Sequence, residues 1–130
     1  MGISIPLKYP QSRGWYGEWL AYQHFRKKKF EIIQKNWISP KDRRREIDLI
    51  LKDQDCLVFV EVRARSKGAL NSGYHSITSK KKKALLSACR DFLKVTHEIF
   101  QTYRFDVIEV DLGDSEGELF HHENVSLFPK

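Results

Sequence analysis

The spacing of hydrophobic residues along the chain begins with a helical period. From about Arg13 to Lys29, Ala21 and Phe25 lie on the same helical stripe as Glu18, and the hydroxyl of Ser12 can cap the first turn. This pattern predicts an amphipathic helix whose apolar stripe packs on the rest of the domain. Because Glu18 shares that stripe, we expect its carboxylate to point inward.

A strand-like pattern, rich in β-branched and aromatic residues, follows this helix. It predicts one strand from Phe30 to Trp37 and two stronger ones in the segments REIDLILKD (residues 45–53) and CLVFVEVRAR (residues 56–65). Only Gln54 and Asp55 separate the stronger pair. The two strands are therefore expected to form an antiparallel hairpin.

The rest of the pattern predicts a loop, a second helix and further strands. Residues 66–76 are polar with two glycines and predict a mobile loop. Thr78 can cap a helix that extends to about His97. The segment YRFDVIEVDL (residues 103–112) predicts a strand, and Leu119 to His122 can add a short final one.

Length, composition and element order together indicate one globular domain over residues 1–130. The chain has 130 residues, of which 41% are hydrophobic, and this is enough for one real core. The order αβββαβ, with an optional final β, predicts an α/β domain with one mixed central sheet flanked by helices. We expect the core at about residues 13–112 and a short C-terminal extension at residues 113–130.

The basic residues are concentrated in two parts of the chain, which carries a formal net charge of +6. Residues 26–45 contain nine basic and two acidic residues, residues 63–94 contain nine and one, and beyond Phe105 seven acidic residues face only Lys130. Such a distribution favours a polyanionic partner such as a nucleic-acid phosphate backbone, with a merely solvated surface as the alternative. The candidates for contact with a nucleic-acid backbone are Arg43, Arg44, Arg45, Arg65, Lys80 and Lys82.

Neither the cysteines nor the N-terminal segment is typical of a secreted or membrane protein. Cys56 and Cys89 are isolated and lack the close spacing of zinc ligands, so we expect buried thiols in a reducing compartment. The first ten residues lack a basic start followed by a long apolar run, and no stretch approaches the roughly 20 apolar residues that span a bilayer. The expected location is the cytoplasm, without a membrane partner.

Two carboxylates interrupt strands that otherwise look core-forming, and buried carboxylates are costly unless they are compensated. If Asp53 pairs with Cys56 across the hairpin turn, the register places Asp48 opposite Glu61, with Cβ atoms about 4.5 to 5.5 Å apart. Two such carboxylates repel each other. A divalent cation removes the repulsion, and Mg²⁺ prefers oxygen ligands of this kind.

Three further residues can complete a catalytic site around this pair. Arg63 lies two residues beyond Glu61 on the same strand face, where it can hold a scissile phosphate or stabilise developing charge. Glu18 joins the carboxylates if its helix packs across the sheet, and Lys81 can reach over the site from the start of the second helix. The predicted chemistry is metal-assisted hydrolysis of a phosphodiester, in which the ion activates water and neutralises the leaving oxygen.

Each acidic residue also has a simpler interpretation. Asp48 can form a surface ion pair with Arg44 or Arg45, and Glu18 can be an ordinary helix residue near a helix N-terminus, where negative charge is favourable. Glu61 is harder to explain in this way, because apolar residues surround it in the sequence.

Two features outside this set have structural alternatives. Asp106 can be a structural partner of Arg104 or Arg63. Phe59 and Phe105 could stack bases on an RNA-recognition sheet, but the aromatic motif of such sheets is missing and both residues are better interpreted as core.

Several ordered motifs resemble the YraN-like family of uncharacterised bacterial proteins (uncharacterised protein family 0102), which are themselves similar to archaeal Holliday-junction resolvases. The resemblance covers about residues 13–111. It implies the restriction-endonuclease-like fold, with Glu18, Asp48 and Glu61 at the acidic metal-binding positions. The motifs that carry it are the helical pair Gly17 and Glu18, EIDLI at 46–50, VFVEVRAR at 58–65, ITSKK at 77–81 and RFDV at 104–107.

The chain departs from the nuclease pattern at one position, because that pattern usually ends in Glu-x-Lys and Arg63 stands at its third residue. Arginine cannot act as a base at neutral pH, although it still binds phosphate. Two functions therefore remain open. One is an endonuclease that requires Mg²⁺ or Mn²⁺ and cleaves branched or structured DNA in repair or recombination, as a homodimer like the resolvases. The other is an inactive DNA- or RNA-binding module of the same fold.

Overall fold

A computed structural model describes residues 13–65, 77–97, 100, 102–111 and 118–127, without the side chains of 13–15 and 65. Within these ranges the element order is the predicted one, including the final strand. Ser12, the loop predicted at 66–76 and much of the proposed C-terminal extension lie outside the described residues. The elements are α1 (Arg13–Lys27), β1 (Glu31–Ile38), β2 (Glu46–Asp53), β3 (Cys56–Arg65), α2 (Ser79–Thr96), β4 (Thr102–Asp111) and β5 (Glu118–His122).

Local chemistry explains where the helices begin and end. Helix α1 stops two residues earlier than predicted because Lys29 adopts a left-handed φ of 65°, and the amide of Phe30 donates to the carbonyl of Phe25 at 3.1 Å. This is the hydrogen bond of a Schellman C-cap. Helix α2 begins as predicted, with the Thr78 hydroxyl accepting from the Lys81 amide at 3.1 Å.

The five strands form one mixed sheet in the order β1-β2-β3-β4-β5. Strands β3 and β4 are parallel and α2 connects them, whereas the other neighbouring pairs are antiparallel. A parallel pair requires a crossover of this kind, while an antiparallel pair can be joined by a tight turn. The predicted α/β class with a mixed sheet is confirmed.

Each face of the sheet has its own apolar core, and each helix covers one face. The core on the α2 face contains Phe59 and Phe105, and the core on the α1 face contains Val58 and Val60. Because both phenylalanines are buried, they cannot stack bases, and the RNA-recognition alternative is wrong. No helix in the described ranges is long and apolar enough to cross a membrane.

Candidate functional site

The site lies where β2 and β3 separate. Their pairing runs from Asp53 and Cys56, as predicted, to Leu49 and Val60. Beyond this pair, the Asp48 side chain replaces the backbone as the hydrogen-bond acceptor. Its Oδ2 atom accepts a hydrogen bond from the Val62 amide at 2.8 Å. A carboxylate thus bridges the fork between the two strands.

Strand alternation is interrupted at this fork. Ile47 packs in the core on the α2 face, whereas Leu49 packs in the core on the α1 face, although a regular strand would place both on one face. The neighbouring strand explains the irregularity, since Asn36 has a φ of 51° and lies between the residues paired with Ile47 and Leu49. Asparagine tolerates this left-handed conformation better than most residues. Asp48 is therefore displaced from a simple facing position.

Asp48 and Glu61 form a close pair of acidic groups. Glu61 is only 7% exposed, and it is hydrogen-bonded to Asp48. Burial and then the charge of Glu61 raise the pKa of Asp48 well above its ordinary value, while the hydrogen bond from Val62 acts in the opposite direction. A pair of this kind can hold a shared proton or a cation.

Glu18 approaches this pair from α1. A Cβ atom added at Gly17 would lie 3.2 Å from the Cβ atom of Ala64, so glycine allows the helix to lie close to β3. Burial and then the charges of Asp48 and Glu46 raise the pKa of Glu18 to about 7, against a hydrogen bond from Asn36.

Glu18 and Asp48 line a common cleft of about 130 Å³ between α1 and the sheet. Lys35 lies at this cleft with its ammonium 4.5 Å from the centre of the Tyr22 ring. The cleft gives solvent a path to the carboxylates. Its remaining lining residues are Trp19, Asn36 and Leu49.

The two cationic candidates lie beside Glu61. Lys81 places its Nζ atom 3.5 Å from Glu61 Oε2, and its side chain is 47% exposed, so its charge can reach both the carboxylate and a ligand. Arg63 follows Glu61 by two residues on β3, and Glu109 is the residue of β4 that is in register with Arg63. The structure thus links Glu18, Asp48, Glu61 and Lys81 through electrostatic contacts, and Arg63 lies two residues from Glu61 on the same strand.

Arg44 and Arg45 do not form the predicted alternative ion pair with Asp48. Arg44 bonds to Asp42 at 3.0 Å, and Arg45 bonds to Asp91 at 3.0 Å. Arg43, Lys80 and Lys82 are exposed, as a surface for nucleic acid requires, whereas the Arg65 side chain lies outside the described part of the chain.

A divalent ion fits the pair of carboxylates better than the full predicted trio. In the described part of the chain, no three His, Cys, Asp or Glu side chains are grouped closely enough to hold a metal ion. Mg²⁺, however, binds through one or two carboxylates and keeps several waters. The donor oxygens of Asp48 and Glu61 therefore suit it, and Glu18 lies beside them as an outer acidic group.

Sequence reasoning did not identify Asn36, Ser39 or Asp91. Asn36 carries a signal, since asparagine is depleted in strands and indicates a local left-handed residue. The hydrogen bond between Ser39 Oγ and Asp91 Oδ2, 2.7 Å long, joins residues 52 positions apart. Nothing in the local sequence marks these two as partners.

Comparison with known proteins agrees with the family resemblance. The family model described as "Uncharacterised protein family UPF0102" matches residues 17–110. A UPF0102 protein of Desulfitobacterium hafniense (strain Y51) is 34% identical over 109 residues, which cover 83% of this chain and 88% of that protein. One from Dichelobacter nodosus is 36% identical over 115 residues, covering 88% and 89%. One from Anaeromyxobacter dehalogenans is 34% identical over 111 residues, covering 85% and 81%.

Proposed function

Since this chain belongs to the uncharacterised protein family UPF0102, we propose a function from its site: hydrolysis of phosphodiester bonds in branched or structured DNA, assisted by Mg²⁺ or Mn²⁺. The observation that carries the proposal is the close pair of Asp48, which is partly exposed, and Glu61, which is buried. When both carboxylates are ionised they repel each other, and a divalent cation relieves that repulsion.

The residues of the chain have distinct parts in this reaction. The Val62 amide fixes one oxygen of Asp48, so Asp48 and Glu61 present preorganised ligands. When bound, the metal supplies an activated water and neutralises charge on the leaving oxygen. Lys81, 3.5 Å from Glu61, adds positive charge where the phosphate becomes more negative, and Arg63 binds a phosphate oxygen. Glu18, whose pKa is raised to about 7, can exchange a proton near neutral pH.

The restriction-endonuclease-like fold is part of the same proposal. It is supported by a mixed sheet with a helix on each face and by acidic residues at the fork of an antiparallel hairpin. A branched DNA such as a four-way junction presents two strands in symmetry-related positions. We therefore propose a two-fold homodimer, which would bring two such sites to one junction.

A specific observation favours a second candidate, a binding module without turnover. Arg63 replaces the lysine of the usual nuclease pattern, and arginine does not release a proton at neutral pH. This module would keep the same basic surface and bind DNA or RNA without cleaving it.

One experiment separates the two candidates. Purified protein is incubated with end-labelled four-way junction, flap, single-stranded and duplex DNA, in Mg²⁺, in Mn²⁺ and in chelator. The variant Asp48→Asn preserves size and the acceptor for the Val62 amide while it removes a charged ligand. Asp55→Asn, in the exposed hairpin turn, makes the same chemical change away from the site.

We expect cleavage by the wild type and by Asp55→Asn, none in chelator, and a loss of at least about a hundredfold in Asp48→Asn, as for removal of other charge-stabilising groups. Tight binding without cleavage of any substrate in either metal would reject the enzyme and leave the binding module. Cleavage that is undiminished in Asp48→Asn would show that another site is responsible.

A further inference from the structure

The connection between β1 and β2, residues 39–45, is fixed to α2 by a buried acidic residue. Asp91 is 5% exposed, and its Oδ2 atom accepts from the Ser39 hydroxyl at 2.7 Å and from Arg45 Nη1 at 3.0 Å. Burial alone would raise the pKa of Asp91, but these donors outweigh it and hold the pKa below its ordinary value. Asp91 is thus a charged anchor for a surface loop.

The loop is also closed by its own hydrogen bonds. The Ser39 amide donates to the Arg45 carbonyl at 2.9 Å, and the Arg45 amide donates to the Asp42 carbonyl at 2.9 Å. The Ser39 hydroxyl accepts from the Lys41 amide at 3.1 Å, and the Asp42 carboxylate accepts from the Arg44 amide at 3.0 Å. With so many fixed backbone groups, the loop has one defined shape.

This shape displays positive charge. Lys41 and Arg43 are exposed, and the Arg44 side chain, held by Asp42, is 90% exposed. A flexible loop would lose conformational entropy on binding, whereas a fixed one has already lost it. A basic loop with this much internal structure is suited to bind an anion at a defined position.

The position of the loop relates it to the carboxylate pair. Arg45 precedes Asp48 by three residues of extended chain, or about 10 Å at 3.3 Å per residue. Lys81 contacts Glu61 of the same pair. A phosphate bound by the loop would therefore lie within a few nucleotides of one held at the carboxylates.

We infer that residues 39–45 form a preorganised binding platform for the sugar–phosphate backbone of DNA, within a few nucleotides of the scissile phosphate, with Asp91 and Ser39 as its positioning residues. The location of the scissile phosphate rests on the proposed function. The platform itself is a binding surface, and it would bind DNA whether or not the protein cleaves DNA.

The sign of the change in DNA affinity tests the platform. Removal of a negative charge ordinarily strengthens binding to a polyanion. Asp91→Ala removes one, but it also releases the platform, so we expect weaker binding of DNA and a smaller dependence of log Kd on log salt concentration. The matched control Asp55→Ala makes the same charge change in the hairpin turn and should bind as tightly as the wild type or more tightly.

Binding is measured by fluorescence anisotropy with a labelled DNA duplex in chelator, over a series of salt concentrations. The full chain is used, and circular dichroism checks that each variant is folded. Without divalent metal, no result depends on catalysis, so failure of the platform and failure of the nuclease are separate outcomes. Binding by Asp91→Ala that equals or exceeds that of Asp55→Ala would overturn the inference.

A second variant covers the case in which Asp91→Ala does not fold. Lys41→Ala combined with Arg43→Ala changes only exposed side chains of the platform. If each lysine or arginine contacts one phosphate, the salt slope should fall by about 2 in this double variant. An unchanged slope and affinity would reject the platform.

Discussion

Two aspartates of the same sheet, the buried Asp106 and the partly exposed Asp48, have opposite surroundings. Asp106 in β4 is 0% exposed, and its carboxylate accepts from Arg104 at 3.0 and 3.1 Å, from His121 at 2.7 Å and from the Asn124 amide at 2.9 Å. Burial would raise its pKa, but these donors hold the pKa below its ordinary value. Asp48 in β2 has one backbone donor and an acidic neighbour, and its pKa is raised.

The network around Asp106 continues to α1. Burial, followed by the proximity of His121, lowers the pKa of His24 to about 4, so His24 is neutral at pH 7. Its Nε2 atom lies 3.3 Å from His121 Nδ1, and His121 Nε2 lies against Asp106. Since an ionised aspartate only accepts, His121 donates from Nε2 and can accept from His24 at Nδ1.

The difference between the two regions lies in the donors that surround each carboxylate. The buried carboxylate of Asp106, with enough donors, joins α1, β4 and β5 and leaves nothing for a ligand to satisfy. The partly exposed carboxylate of Asp48, beside another acid, retains an electrostatic deficit of the kind that a cation can remove. Helix α1 reaches both regions, with Glu18 at one and His24 at the other.

The largest expected effect is on the free energy of unfolding, when an aspartate is replaced by asparagine in each of the two regions. Asp106→Asn should lower the free energy of unfolding by about 3–5 kcal/mol, because it removes the charge of a fully buried carboxylate that accepts four hydrogen bonds and leaves Arg104 only its longer ion pair with Asp53, at 3.4 Å. Asp48→Asn should change it by less than about 1 kcal/mol or raise it, since the amide can still accept from Val62 and can donate to Glu61. Urea denaturation without divalent metal measures both.

Asp55→Asn in the exposed turn is the reference for the two variants and should be indistinguishable from wild type. Equal losses of stability in Asp48→Asn and Asp106→Asn would contradict the distinction between the two regions.

The second largest effect should be a difference between the two regions in how their contribution to stability depends on pH. Glu18 has its pKa raised from 4.5 to about 7 by burial and by Asp48, so its contribution to stability is present below pH 4.5 and is lost as the pH rises to about 7. Asp106 has a lowered pKa, so its contribution is present above about pH 3.8 and is lost only as the pH falls further.

Unfolding free energies from pH 4.5 to pH 8 measure this difference. The decline towards pH 7 should be smaller in Glu18→Gln than in wild type. Mg²⁺ at about 100 times its Kd should add about 2.7 kcal/mol to the wild type at pH 7 and much less to Asp48→Asn. A decline of the same size in Glu18→Gln, or equal stabilisation of both proteins by Mg²⁺, would argue against a cation site at the fork.

The smallest expected effect is at Gly17, where α1 approaches the sheet. Gly17→Ala should change stability by less than about 1 kcal/mol, because the better helix propensity of alanine offsets a contact 3.2 Å from Ala64 Cβ. It should nevertheless weaken Mg²⁺ binding by moving Glu18 away from Asp48, as followed by titration calorimetry. Adding Ala64→Gly removes the colliding atom and should restore the affinity. If it does not, the close approach of α1 is irrelevant to the site.

The sequence was sufficient for most of the fold. Apolar periodicity located both helices and all five strands to within two residues, and two-residue turn chemistry fixed the register of β2 and β3. These features depend on neighbours within a few residues, because side-chain period, caps and turns are local properties. The same register brought Asp48 near Glu61 without any knowledge of the fold.

Tertiary structure decided how those residues are used. The left-handed φ of Asn36 displaces Asp48 from regular alternation, and only the packing of α1 through Gly17 brings Glu18 beside it. Asp91 and Asp106 are acidic residues of similar appearance in the sequence, yet their donors come from segments at least 15 positions away, apart from Arg104. Whether a carboxylate is satisfied or left in deficit depends on such distant partners, so the sequence supplied the carboxylates and the fold determined which of them have enough donors.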